Sequence, residues 1–187
     1  MVPDYAAIAG HINNFGGQSN SEYYSTFYGP HARNGVMSFN SKVQFKNITD
    51  GLSKTIMVGE VSAPVRGADE EKDWRPGEKH GFAAGCQGPN SNSQNLNGAG
   101  AAGKRVFNTT TIRYRINTQQ SFTGPDGQNR CSDGVCPNGN NYPLRSRHPG
   151  GVHVLFVDGA TAFLNEAVED AVLAALAAKA DGNAVSQ

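Results

Sequence analysis

The chain has 187 residues, in which 16 Lys and Arg balance 16 Asp and Glu for a formal net charge of +0. That balance removes the electrostatic footprint a nucleic-acid partner requires, and no window approaches the ~20 apolar residues of a membrane span. Hydrophobic residues make up 37%, charged residues only 17%, and there are 23 Gly. With charge below the usual ~25%, this composition predicts one domain over 1–187, a modest core, long connections and a polar, neutral surface of the extracellular kind.

In chain order, residues 1–31 hold Tyr5, Phe15, Tyr23, Tyr24, Phe27 and Tyr28 without a period of 2 or 3.6, and read as a packed loop with one short strand at most. Asn34 to Phe39 and Val43 to Ile48 are short strand candidates. Thr49-Asp50-Gly51 is a turn, and Thr55 to Val61 is a strand by composition. Residues 62–103 form a long polar excursion with an acidic run from Asp69 to Asp73 and Trp74 near Pro76-Gly77; excursions of that length are functional or mobile as a rule. Thr109 to Asn117 alternates Thr, Ile and Tyr with Arg, a half-buried strand, and 122–142 is a second loop.

The run 145–164 is a β-hairpin. Asp158-Gly159 between two apolar stretches is the strongest short-range hairpin signal, because a type I′ turn needs positive φ at both central residues. A two-residue loop there sets Val157 opposite Ala160, Leu155 opposite Ala162 and Val154 opposite Phe163, with apolar residues on both faces, as in a sheet covered on both sides. The strand Val152 to Val157 spans roughly 20 Å at ~3.3 Å per residue. His148 and Asp158 therefore mark opposite ends of one strand, and this reads as architecture rather than a catalytic pair. A helix over 166–180 closes the chain, with Asn165 as N-cap and Glu166, Glu169 and Asp170 at the positive end of its dipole. Gly182 follows as its C′ residue, and Val168, Val172, Leu173 and Leu176 form a stripe that packs on the sheet. The whole predicts an α+β fold with an antiparallel sheet built from 55–61, 109–117, 152–157 and 160–164.

His148, Asp158 and Gly159 form the H-x9-D-G pattern that ends a large bacterial family of prepilin-like proteins, and the chain resembles that family elsewhere too. Phe45 to Glu60, containing Ile48-Thr49-Asp50-Gly51-Leu52-Ser53-Lys54-Thr55-Ile56-Met57-Val58-Gly59-Glu60, looks like its "I-T-D-G-x-S-N-T-I-x-V-G-E" block, with Lys54 in place of the usual Asn. Tyr5-Ala6-Ala7-Ile8-Ala9-Gly10 is similar to its "D-Y-A-x-N-A-G" entry, and Ile116-Asn117-Thr118 and the closing helix also fit. The resemblance implies a type IV pilin-like or type II secretion pseudopilin-like protein whose C-terminal domain has no assigned activity. It also implies an N-terminal processing site and a long apolar helix, neither of which has a counterpart here. The expectation is a soluble segment cut from a longer protein, which Met1 beside the domain entry favours, or a natural variant without the anchor.

Cys131 and Cys136 lie in a Gly- and Asn-rich loop, where a local disulfide would restrict the unfolded chain; Cys86 is left over and could pair with either. Asp126-Gly127-Gln128-Asn129 and Asp133-Gly134 could supply calcium ligands, and the resemblance to pseudopilins, which carry calcium in a C-terminal loop, favours this. Asx-turns account for these residues equally well. Arg113 with Arg115 and Arg145 with Arg147 read as solvated strand faces. The chain contains no nucleophile elbow, no H-E-x-x-H, no P-loop and no G-x-G-x-x-G after a strand. The expectation is a structural or assembly protein, not an enzyme, without cofactor, with calcium at Asp126 and Asp133 as the one candidate ion, and outside the cytoplasmic membrane. Its partners would be protein subunits of a pilus-like or secretion assembly, further copies of the chain included. The alternative is a binding module for cell-surface polysaccharide or a small ligand, with Trp74, Tyr23 and Tyr24 as a platform.

Overall fold

The computed structural model describes residues 2–20, 23–24, 28–39, 41–66, 73–75, 85–87, 105–124, 131–136 and 139–182. Its strands are β1 (Tyr5–His11), β2 (Tyr23–Tyr24), β3 (His31–Ala32), β4 (Ile56–Glu60), β5 (Gly85–Gln87), β6 (Arg105–Phe107), β7 (Thr109–Ile112), β8 (Gly151–Phe156) and β9 (Thr161–Asn165). One α-helix, α1 (Asp170–Ala177), closes the described chain. The fold is α+β, as the sequence predicts. A five-stranded sheet runs in the order β7-β1-β4-β8-β9, while β2 pairs with β3 and β5 with β6 in separate two-stranded sheets.

The sheet departs from the expected one in two ways. Strand β1 has seven residues where the sequence predicts a packed loop with at most one short strand, and every residue from Ala6 to His11 is buried. The segment Ala6-Ala7-Ile8-Ala9-Gly10 is too small and uniform to show a period, because it packs on both faces. The second departure is at β7, which runs parallel to β1 (Ala7 beside Thr109, Ile8 beside Thr110) and is the exception in an otherwise antiparallel sheet. It stops at Ile112, short of the predicted Asn117, whose φ of 53° is incompatible with extended chain.

Asn34 to Phe39 is irregular instead of a strand, and in Val43 to Ile48 the regular piece is a 3-10 turn at Phe45–Asn47. There the Gln44 N–H donates to the Asn47 side chain at 3.1 Å, a local bond that competes with strand pairing.

The hairpin is real but its register is shifted by one residue. Leu155 faces Thr161, Val154 faces Ala162 and His153 faces Phe163. The loop has three residues: the Gly159 N–H donates to the Phe156 carbonyl at 3.1 Å, and the Phe156 N–H to the Ala160 carbonyl at 2.9 Å. Gly159, at φ 90°, supplies the left-handed residue that ends such a loop. A Cβ on Gly159 would meet nothing within 4 Å, so substitution there is penalised by the backbone alone. Gly159→Val should lower unfolding free energy by about 1–3 kcal/mol, read as a smaller urea midpoint at unchanged slope; an unchanged midpoint would show that the loop tolerates the strain. The shifted register also corrects the expected double coverage. Strand β9 is an edge strand, exposed at all positions except the half-buried Leu164.

The helix starts at Asp170 with Glu169 at its N-cap, later than expected. Asn165 instead closes a local turn by accepting the Ala167 N–H at 2.8 Å, and the Glu166 N–H donates to the Gly150 carbonyl. This keeps residues 165–166 tied to the hairpin. Leu173, Ala174, Leu176 and Ala177 pack with Ala6, Ile8, Ile56, Val152, Val154 and Phe156 in the main core, and Val168 and Val172 lie against it. A second core gathers Tyr28, Val65, Trp74, Phe122, Val135 and Tyr142 around Cys131 and Cys136.

Candidate functional site

The antiparallel register that sets Gly59 opposite Val154 puts the next pair, Glu60 and His153, side by side on one sheet face. Tyr5 faces Glu60 on the other side, and Phe163 faces His153, so Tyr5, Glu60, His153 and Phe163 form a row from β1 to β9. The row mixes exposure sharply. Tyr5 is 52% and Phe163 46% exposed, whereas Glu60, a carboxylate at the end of an apolar strand, is 2% exposed.

His148 reaches this row from the turn that leads into β8. Ser146 positions it: the His148 N–H donates to Ser146 Oγ at 3.0 Å, and that hydroxyl donates to the Gly151 carbonyl at 2.6 Å. The Ser146 N–H is in turn held by Asn117 Oδ1 at 2.9 Å. His148 Nε2 lies 3.5 Å from Glu60 Oε1, and His153 Nδ1 lies 3.3 Å from Glu60 Oε2. The two imidazoles meet edge to face, with centroids 5.0 Å apart, and His153 packs edge-on to Phe163 at 5.2 Å.

Glu60 is held ionised by its neighbours. Burial pushes its pKa up, but this is outweighed by hydrogen bonds from the His153 N–H, the Ser62 hydroxyl and the His153 ring, helped by the charge of His148. The net direction is below the ordinary carboxylate range. The Ser62 hydroxyl donates to Oε1 at 2.6 Å and the His153 N–H to Oε2 at 2.9 Å. Each oxygen is therefore fixed by one donor on the protein side and turns toward one imidazole. Glu60, His148 and His153 together offer one carboxylate oxygen and two ring nitrogens within 4.8 Å of one another.

The other residues singled out in the sequence lie elsewhere. Asp158 sits in the turn at the far end of β8, with Oδ1 accepting the Ala160 N–H at 2.9 Å. Cys131 and Cys136 are disulfide-bonded, with Cα atoms 6.0 Å apart, inside the second core. Trp74 is 8% exposed in the same core, which withdraws it from the exposed platform read from the sequence. Tyr23 and Tyr24 form β2, and their side chains lie outside the described residues. So does Asp126 of the calcium candidate. Its partner Asp133 accepts from the Thr123 N–H and hydroxyl, the Gly124 N–H and the Val135 N–H. The carboxylate of Asp133 is thus engaged by protein donors, as in the Asx-turn reading.

Arg115 pairs with Asp170 at 2.9 Å, and Arg113 lies over the Tyr114 ring at 5.4 Å. These residues line a shallow groove of about 430 Å³ with Asn14, Phe15 and Gln120. Among the described residues no helix is long and apolar enough to cross a membrane.

Reading single residues for chemistry passed over Glu60 and assigned His153 only to a strand. The usable signal was a pair of breaks in apolar patterning, a Glu ending the strand Ile56 to Glu60 and a His within Val152 to Val157. Their meeting depends on register, which the patterns do not contain. In comparison with known proteins, a family model described as "Protein of unknown function (DUF1559)" matches residues 2–171. No curated protein and no solved structure matches the chain.

Proposed function

We propose that this chain, which belongs to the DUF1559 family of proteins of unknown function, is the globular head of a pseudopilin-like subunit that works by protein–protein contact outside the cytoplasmic membrane. The observation that carries the reading is the outer edge of the sheet. Among the described residues strand β9 pairs with β8 alone, its residues are exposed except the half-buried Leu164, and Phe163 stands on its surface with Tyr5 farther along the same face. An open edge flanked by exposed aromatics is suited to pairing with another chain. The Cys131–Cys136 disulfide supports an oxidising, extracytoplasmic setting, and the H-x9-D-G and I-T-D-G blocks support the prepilin-like relationship.

The groove beside Arg113 and Arg115 favours the second reading, a small-ligand or polysaccharide module, since its volume falls in the range of ligand sites. It is shallow, however, and Arg115 is already neutralised by Asp170, so the edge is the better-supported surface.

A photo-crosslinking residue in place of Phe163 tests the assembly reading in producing cells. The expected result is a crosslink to another copy or to a second pilin-like subunit, recovered from the envelope or extracellular fraction. A cytoplasmic location, or no crosslink from that position, would overturn it.

A further inference from the structure

We propose that Glu60, His148 and His153 form a binding site for a divalent transition-metal ion, with zinc the best match. The site stands apart from the assembly reading and needs no partner chain. Its donor set is two imidazole nitrogens and one carboxylate, the mixture that suits zinc and its neighbours in the first transition row. Calcium and magnesium prefer oxygen-only shells and are poor matches.

The spacing leaves room for an ion among the three side chains. Good N–H···O bonds between a ring and a carboxylate run at about 2.7–3.2 Å. Here His153 Nδ1 hydrogen-bonds Glu60 Oε2 at 3.3 Å and His148 Nε2 stands 3.5 Å from Oε1, both longer than that range. Ligand atoms at the corners of a tetrahedron with bonds of about 2.0–2.1 Å lie roughly 3.3 Å apart. Each observed separation matches one such edge, that of His148 to Glu60 Oε1 and that of His153 to Oε2. The two ring nitrogens and one Glu60 oxygen all fall within 4.8 Å of one another, and both rings are half exposed.

The carboxylate is prepared for the role. Buried Glu60 has one oxygen held by the Ser62 hydroxyl and the other by the His153 N–H, and each oxygen also lies beside one ring nitrogen. Such supporting hydrogen bonds orient metal ligands and raise affinity. The positions are also rigid: Glu60 and His153 sit on adjacent strands, and His148 is tied down through Ser146. The His148 and His153 side chains are 55% and 46% exposed, so an ion can enter from solvent and keep water in its outer coordination positions.

The experiment is zinc titration of the full chain by calorimetry after removal of metal with a chelator, repeated with cobalt to follow its visible absorption. One zinc per chain is expected, with calcium unable to compete. His148→Ala and His153→Ala should each weaken binding by more than about tenfold, since loss of an outer-shell partner alone has an effect of that size. Both side chains are half exposed, so these variants should keep the circular dichroism of the parent, which shows that they fold. Glu60→Gln should weaken binding at least as much, and the histidine variants decide the matter if that buried substitution prevents folding. No saturable zinc binding, or binding unchanged in both histidine variants, would overturn the proposal.

Discussion

A Gly16→Ala chain should be less stable than the parent by about 3–5 kcal/mol, while Gly17→Ala, one residue on, should lose only about 1 kcal/mol. Both glycines have left-handed backbones, at φ 60° and 78°, so both substitutions incur the same kind of strain. They differ in what a Cβ would touch. At Gly17 it would meet nothing within 4 Å, whereas at Gly16 it would lie 2.3 Å from the Ala171 nitrogen and 2.3 Å from the Asp170 carbonyl carbon.

Those atoms are helix backbone and cannot rotate away. Ordinary contact begins at 3.4 Å, so α1 would have to retreat by about 1 Å. That retreat would loosen Leu173, Ala174, Leu176 and Ala177 from the sheet residues they pack against. Against a typical total stability of roughly 5–15 kcal/mol, the loss would leave the fold marginal. Urea unfolding of the two variants provides the measurement, and equal losses would show that the approach of α1 to this turn contributes nothing.

The close approach at Gly16 also illustrates what could and could not be read from the sequence. The elements with strong local signals, Ile56–Glu60, the hairpin and the closing helix, are legible because their residues carry the period or the turn chemistry themselves. Strand β1 carried neither, since Ala6, Ala7 and Ala9 pack equally on both sides and alanine favours helix on intrinsic grounds. The parallel pairing of β1 with β7 joins residues about a hundred positions apart, and no local pattern encodes it. The hairpin shows how small the missing information can be: one extra loop residue at Val157 moved every pair by one. That shift sets His153 beside Phe163, while the separate register of β4 against β8 sets it beside Glu60. The candidate site was therefore legible as unusual residues, Glu60, His148 and His153, but not as a site.

The acid side of the stability curve should be governed in large part by His31. This residue is fully buried on β3; its Nε2 lies 3.3 Å from Ser38 Oγ, and its ring packs against Phe39 with centroids 4.7 Å apart. Nδ1 has no hydrogen-bond partner among the described residues. Burial, reinforced by the nearby charge of Arg33, depresses the pKa to about 3 from the ordinary 6.5. The sign of the pH dependence follows. Above pH 6.5 the ring is neutral in both folded and unfolded chains, and its contribution is fully present. Between pH 6.5 and 3 the unfolded chain takes up a proton that the folded chain refuses, so acid favours unfolding.

The stability gap should therefore shrink by about 1.4 kcal/mol per pH unit, amounting to roughly 4–5 kcal/mol across the window. His11, whose pKa is also lowered by burial, and the exposed carboxylates act in the same acid range, so the parent curve alone cannot isolate His31. The difference between the parent and His31→Leu can. Leucine fills the same apolar space without a titrating group, so the variant should lose less stability than the parent as pH falls from about 7 to 4.5, with the two curves converging by about 1.4 kcal/mol per unit below pH 6.5. Parallel curves from urea unfolding in chelator would mean that His31 accepts its proton inside the fold, and that the pocket between Ser38 and Phe39 opens to water before the chain unfolds.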